Sequence, residues 1–268
     1  MQALDATAAR AVVPRPAATT LILRDGAQGA EMLMVRRSPN ASFMPGAYVF
    51  PGGAVDAADA LAHEACDEST AQLAARIGAV TGVGDAALAY AVAALRECLE
   101  ECGLWLGDDA PGADLAALRA RLHGGAPMVE VASHAALPLR ASALQPWSHW
   151  VTPLGVPKRF DTLFFAVRAP AGQQPTVDAG ETTTLAWVRP EQAMAQHAQG
   201  AFPMEFATVS TVRSLLPLAP RGVQALLDHA GAQRSLKALH PRLVLDASRR
   251  VLGIRLPGDD GYDALDGD

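Results

Sequence analysis

The stretch Arg96-Glu97-Cys98-Leu99-Glu100-Glu101-Cys102-Gly103-Leu104 closes a long alanine-rich segment and holds three carboxylates within five residues. The surrounding pattern reads as a buried helix. Positions three and four apart share a helix face, so Glu97 meets both Glu100 and Glu101. Like charges so placed repel by a few tenths of a kcal/mol per pair. An isolated acidic triplet is usually a solvated face. One that works against a buried helix calls for positive charge above it, and hard cations such as Mg²⁺ take carboxylate oxygens.

The chain has 268 residues, half of them apolar, and a net charge of −6. That composition supports a sizeable core and gives no electrostatic footprint for nucleic acid. Lys158 and Lys237 are the only lysines. Cys66, Cys98 and Cys102 form no disulfide framework, and the last two read as core. The N-terminal residues lack the apolar core of a signal peptide, and no run nears the ~18 apolar residues of a membrane span. A cytoplasmic protein with no membrane or nucleic-acid partner is expected, and a homodimer is left open. No histidine spacing suits zinc, and His149 between Trp147 and Trp150 reads as packed.

Working outward, residues 1–16 are rich in Ala and Pro and read as a loose tail. Residues 18–24 and 31–37 read as strands joined by a turn, and 48–50 as a short strand stopped by Pro51-Gly52-Gly53. A helix is expected over 61–77, broken by Gly78, Gly82 and Gly84. Asp85 is the expected cap of a helix from about 86 to 106. A short helix follows at 114–122, and 129–137 is ambiguous. Strands are expected at 147–152, 160–168 and 182–188, and helices at 190–199, 204–216 and 222–230. A hairpin about Asp246-Ala247-Ser248 closes the chain. The order predicts an α/β (α+β) fold with a mixed sheet between helices. We read one domain over 17–217 with an insertion at about 60–85, and 218–268 as an extension packed on it.

Phe50-Pro51-Gly52-Gly53 and Arg96-Glu97-x-x-Glu100-Glu101-x-Gly103 together resemble the Nudix box. Two features depart from it. Asp59 stands where the box has Glu, and 36 residues separate Asp59 from Arg96 where the box has seven. The division resembles the subgroup typified by the peroxisomal coenzyme A diphosphatase, whose box is split by an insertion. Residues 43–53 with Val55-Asp56, and Leu33 with Arg36, Arg37 and Ser38, resemble the lead-in of the coenzyme A-cleaving members. Arg159 to Phe165 and Glu181 to Trp187 resemble its later strands.

The resemblance implies a Mg²⁺- or Mn²⁺-dependent attack of water on the diphosphate of a small nucleotide substrate. It makes Glu97, Glu100 and Glu101 metal ligands, and lets Gly52 and Gly53 bring backbone close to phosphate. Asp59 either ligates metal, orients an arginine or caps the inserted helix. Arg96 reads as an orienting partner for a box carboxylate. Glu100 is the candidate base, with Glu181 as an outside carboxylate. Arg36, Arg37 and Arg159 are candidate phosphate contacts. Trp150, Phe160 and Phe164 read as core or as an adenine stack. The substrate implied is coenzyme A or acyl-coenzyme A, cleaved to phosphopantetheine and 3′,5′-ADP. ADP-ribose or NADH hydrolysis, or a sensor that binds without cleaving, are the alternatives.

Overall fold

Strand β1 (Arg15–Gly26) carries the sheet. The computed structural model describes residues 12–40, 45–178 and 182–265. Along one edge, β1 runs parallel to β6 (Phe160–Arg168) from Arg15 to Leu23. Its other edge is shared. Ala17–Thr19 pairs with β4 (Gly52–Ala54), while Leu23–Gly26 pairs with β2 (Gly29–Arg37). Strand β2 also pairs with β3 (Tyr48–Val49) and β7 (Thr182–Val188), and β5 (Gln145–Val151) lies beyond β6. The result is a mixed sheet of seven strands among the described residues.

The two-residue period of the strands divides the core. Ala18, Ile22, Leu33, Val35, Leu163 and Phe165 face one side, and Leu21, Leu23, Met32, Met34, Phe164 and Ala166 face the other. The first side is covered by the inserted helix α1 (Thr70–Thr81) and by α2 (Ala87–Cys102), α3 (Leu115–His123) and α4 (Met128–Ala135). The second is covered by α5 (Pro190–Ala198), α6 (Phe206–Leu215) and α7 (Val223–Gly231). Helix α2 is buried almost all round, which explains its nearly unbroken apolar sequence. Among the described residues no single helix is long and apolar enough to cross a membrane.

Several expectations change. Strand β1 starts at Arg15, not Ala18, because Arg15 N–H bonds the Arg159 carbonyl (2.9 Å) and the Pro16 carbonyl accepts from Val55 (2.9 Å). The helix expected over 61–77 is two pieces. A 3-10 helix spans Ala57–Ala65, the chain then pairs Cys66 with Leu139, and α1 starts at Thr70 under a Ser69/Gln72 capping box. Gly78 does not break α1; it sits inside a wide turn (Ala74–Gly78), where a Cβ would fall 2.2 Å from the Gly84 carbonyl oxygen. Gly82, at φ +82°, ends it. Asp85 caps nothing, since α2 begins at Ala87 with no side-chain cap. That helix stops at Cys102, four residues short of the expected end, because Gly103 turns left-handed (φ +65°) and its N–H bonds the Leu99 carbonyl (3.0 Å).

Strands β6 and β7 have the expected bounds. The hairpin of β8 (Arg242–Leu245) and β9 (Val251–Arg255) turns on Asp246, whose carboxylate accepts from the N–H groups of Ser248 and Arg250 (2.9 Å each). Helix α7 packs across β5 and β6, tied to β1 by a 2.8 Å bond from Val223 N–H to Asp25. Residues 1–11 of the expected tail, Phe43 and Met44 of the lead-in, and Glu181 lie outside the described residues.

Candidate active site

The glycine turn and the acidic helix, more than 40 residues apart in sequence, meet at the β1–β4 edge. Gly52 N–H donates to Glu101 Oε2 (3.0 Å). A Cβ on Gly52 would lie 2.3 Å from the Ala18 carbonyl oxygen, and one on Gly53 would lie 2.3 Å from Glu97 Oε1. Glycine at both places is therefore a steric demand of the approach.

Arg96 is the centre of the arrangement. Its side chain is 9% exposed. Nε and Nη2 grip Asp59 Oδ1 and Oδ2 at 3.0 and 3.1 Å, a two-pronged pair. Nη1 donates to Glu97 Oε1 (2.8 Å) and to Glu100 Oε2 (3.0 Å), and Nη2 to the Ala54 carbonyl (2.8 Å). Burial works against its charge, but the Asp59 bond and the Glu97, Asp59 and Glu100 carboxylates more than offset this and hold its pKa above the ordinary value. Burial raises Glu97 to about 7, with Arg96 pulling down and Glu100 pushing up. Burial likewise raises Glu100, against the pull of Arg96.

This geometry settles where Asp59 points. Its side chain is 1% exposed, both oxygens hold Arg96, and Oδ2 also accepts from Asp56 N–H (2.8 Å). Asp59 orients the arginine and caps the 3-10 helix; it does not face the cavity described next, so the metal-ligand expectation is corrected. Arg96 lies beneath the carboxylates and positions them.

Glu97, Glu100, Glu101, Gly52 and Gly53 line a cavity of about 1080 Å³. Its floor follows the sheet. Ala54, Ala17, Thr162 and Trp150 are successive register partners across β4, β1, β6 and β5. Arg15, Arg37 and Lys158 bring positive charge to the walls, and His123 adds an imidazole. Phe160, Phe164 and Trp150 all reach it; Phe164 and Trp150 are core and lining at once, while Phe160 is a half-buried lining residue.

Two expected phosphate contacts are elsewhere. Arg36 donates to the Gly46 carbonyl (3.3 Å) and lies over the Tyr48 ring, outside the cavity. Arg159 is 4% exposed and donates to the carbonyls of Thr152 (2.9 Å) and Val12 (3.1 Å), tying strand ends together. Of the three arginines, Arg37 alone lines the cavity. Arg15, Lys158 and His123 were missed. Lys158 carried a signal, since only two lysines occur in the chain. Arg15 and His123 carried none, because only the fold brings the start of β1 and the end of α3 to one place. His149 packs as expected, against the Thr81 carbonyl (3.2 Å) and the Asp161 carboxylate.

Three carboxylates, two of them held uncomfortably high by burial, present a donor set that a cation would relieve. Among the described residues no three or more such groups form a ready-made metal cage. Arg96 already occupies one oxygen of Glu97 and one of Glu100. The set fits an ion that keeps waters and borrows phosphate oxygens, as Mg²⁺ does, and not an all-protein cage.

No family model matches the chain. The human acyl-coenzyme A diphosphatase NUDT19 is 30% identical over 217 residues, 62% of this chain and 55% of its own length. The Caenorhabditis elegans putative nudix hydrolase 7 is 26% identical over 181 residues, 65% of this chain and 51% of its own. The chain thus spans about half the length of these curated relatives. A solved NUDIX hydrolase from Alicyclobacillus acidocaldarius superposes with a TM-score of 0.64 at 29% identity, covering 77% of this chain and 93% of that one. With its divided box rejoined on the same fold as that structure, the chain resembles the Nudix hydrolases, the acyl-coenzyme A diphosphatases among them.

Proposed function

We propose that this protein is a Mg²⁺- or Mn²⁺-dependent diphosphatase that hydrolyses coenzyme A or acyl-coenzyme A to phosphopantetheine and 3′,5′-ADP. The observation that carries the reading is one cavity lined by Glu97, Glu100, Glu101, the cationic Arg15, Arg37 and Lys158, and a broad apolar wall. A nucleoside diphosphate joined to a long, partly apolar arm has that distribution of charge. When bound, the divalent ion neutralises phosphate oxygens and lowers the pKa of the attacking water. The chain supplies the rest. Glu97, Glu100 and Glu101 would hold the ion, themselves fixed by Arg96 and by Gly52 N–H. Arg15, Arg37, Lys158 and His123 orient the phosphates. Glu100 takes the proton from water. The water oxygen bonds one phosphorus as the bridging P–O bond breaks, so one product keeps the hydroxyl on its phosphate and the other departs as a phosphate dianion, with no side chain at Gly52 or Gly53 to obstruct either.

The test is incubation of the purified protein with Mg²⁺ or Mn²⁺ and coenzyme A, acyl-coenzyme A, ADP-ribose or NADH, with products read by mass. Phosphopantetheine (or its acyl form) and 3′,5′-ADP are expected. Cleavage of ADP-ribose or NADH alone ends the coenzyme A assignment. Tight binding of one ligand without turnover of any favours a sensor.

A further inference from the structure

We infer that the hairpin of β8 and β9 is the specificity wall of the cavity, where Leu243 and Ile254, with Phe206 and Val156, receive the aliphatic chain of an acyl-coenzyme A and favour it over free coenzyme A. The inference rests on the function proposed above and assigns the apolar part of that substrate to residues.

Placement comes first. Leu243 and Ile254 are register partners across the hairpin, and both line the same cavity as Glu97. The row Ala54–Ala17–Thr162–Trp150 continues to Leu239, which bridges Trp150 at the root of the hairpin. Four strand spacings of about 4.8 Å put this root roughly 19 Å from β4. That is the order of length of a pantetheine arm running from a diphosphate held at the glycine turn.

Chemistry comes second. The side chains of Pro241, Leu243, Ile254, Val156 and Phe206 carry only carbon. Against these five side chains an adenine would turn ring nitrogens and an amine toward carbon, whereas a saturated chain loses nothing. Both hairpin residues are only half-buried, so carbon surface remains for a ligand to cover.

The wall is anchored independently of the carboxylates. Val151 N–H bonds the Leu239 carbonyl (2.9 Å), and Leu239 N–H bonds the His149 carbonyl (2.8 Å). Arg242 lies over the Tyr262 ring at 4.0 Å and donates to the Tyr262 carbonyl (2.9 Å), while Tyr262 Oη donates to the His240 carbonyl (2.7 Å). Leu252, at the bulge of β9, is 69% exposed and does not line the cavity, which makes it a control on the same element.

The experiment is calorimetric titration of the full chain with dodecanoyl-coenzyme A and with coenzyme A, both in EDTA so that nothing is hydrolysed. Wild type should bind the thioester at least about tenfold more tightly, the equivalent of burying about two methylenes. Leu243→Asp and Ile254→Asp should bring the ratio near one, and Leu252→Asp should preserve it. If the aspartates prevent folding, judged by circular dichroism, Leu243→Ala should still lower the ratio about threefold. Equal affinities in wild type, or an unchanged ratio in folded Leu243 and Ile254 variants, overturns the inference. Failure of the proposed function reads differently: with Mg²⁺ added, neither compound would be cleaved, while the metal-free ratio would still decide the role of the hairpin.

Discussion

Two walls of one cavity are built in opposite ways. At the carboxylate wall nearly every polar atom is committed: Arg96 binds three carboxylates and a carbonyl, and Gly52 N–H holds Glu101. The hairpin wall hangs from two backbone bonds to β5 and one arginine clasp, and its cavity-lining residues Leu243 and Ile254 are half-buried. Chemistry that depends on tenths of an ångström sits on the first wall. Recognition of a chain of variable length sits on the second, where local opening needs less free energy.

The comparison breaks most readily at Asp59. Replacing it with Ala leaves Arg96 buried with two of its five hydrogen bonds gone, and should lower unfolding stability by about 3–5 kcal/mol, read by urea denaturation. A loss below about 1 kcal/mol would mean the wall is not held as described. A pH series makes the next test. Glu97 titrates at about 7 in the folded chain against 4.5 ordinarily, because of burial first. Between these values the native state keeps a proton that the unfolded state releases, so stability without metal should fall as pH rises from about 4.5 to 7, by on the order of 3 kcal/mol. Mg²⁺ should flatten that slope, and melts at pH 5 and pH 7.5 with and without the ion would show it. Glu100→Gln should cut turnover at least about a hundredfold with the fold intact, and full activity would remove Glu100 from the site. The smallest effect belongs to the other wall. Arg242→Ala should cost about 1 kcal/mol and speed amide exchange in β8 and β9 while leaving β1 protected.

The same contrast explains what was legible in the sequence. Strands β6 and β7 could be read to the residue, because β-branched and aromatic runs obey a local period. The carboxylates could be read because three like charges on a buried helix are locally anomalous. The insertion could not. Its break depends on Cys66 pairing with Leu139, a contact 73 positions away, and local composition says nothing of it. Arg159 looked like a phosphate ligand for the same reason: charge is visible in a sequence, but the carbonyls of Thr152 and Val12 that absorb it are not. The hairpin itself was legible from its turn, whereas its placement against the cavity was not.

The Asp59–Arg96 pair closes a ring of chain 37 positions long. Closure entropy grows only logarithmically, so doubling the enclosed segment would cost about 0.6 kcal/mol. The two halves of the box are therefore free to drift apart along the chain over evolutionary time while the clasp keeps them adjacent in space. Motif spacing is then a poor signature of such a site, whereas the closed ring, with its carboxylate at one end and guanidinium at the other, tolerates the change in length.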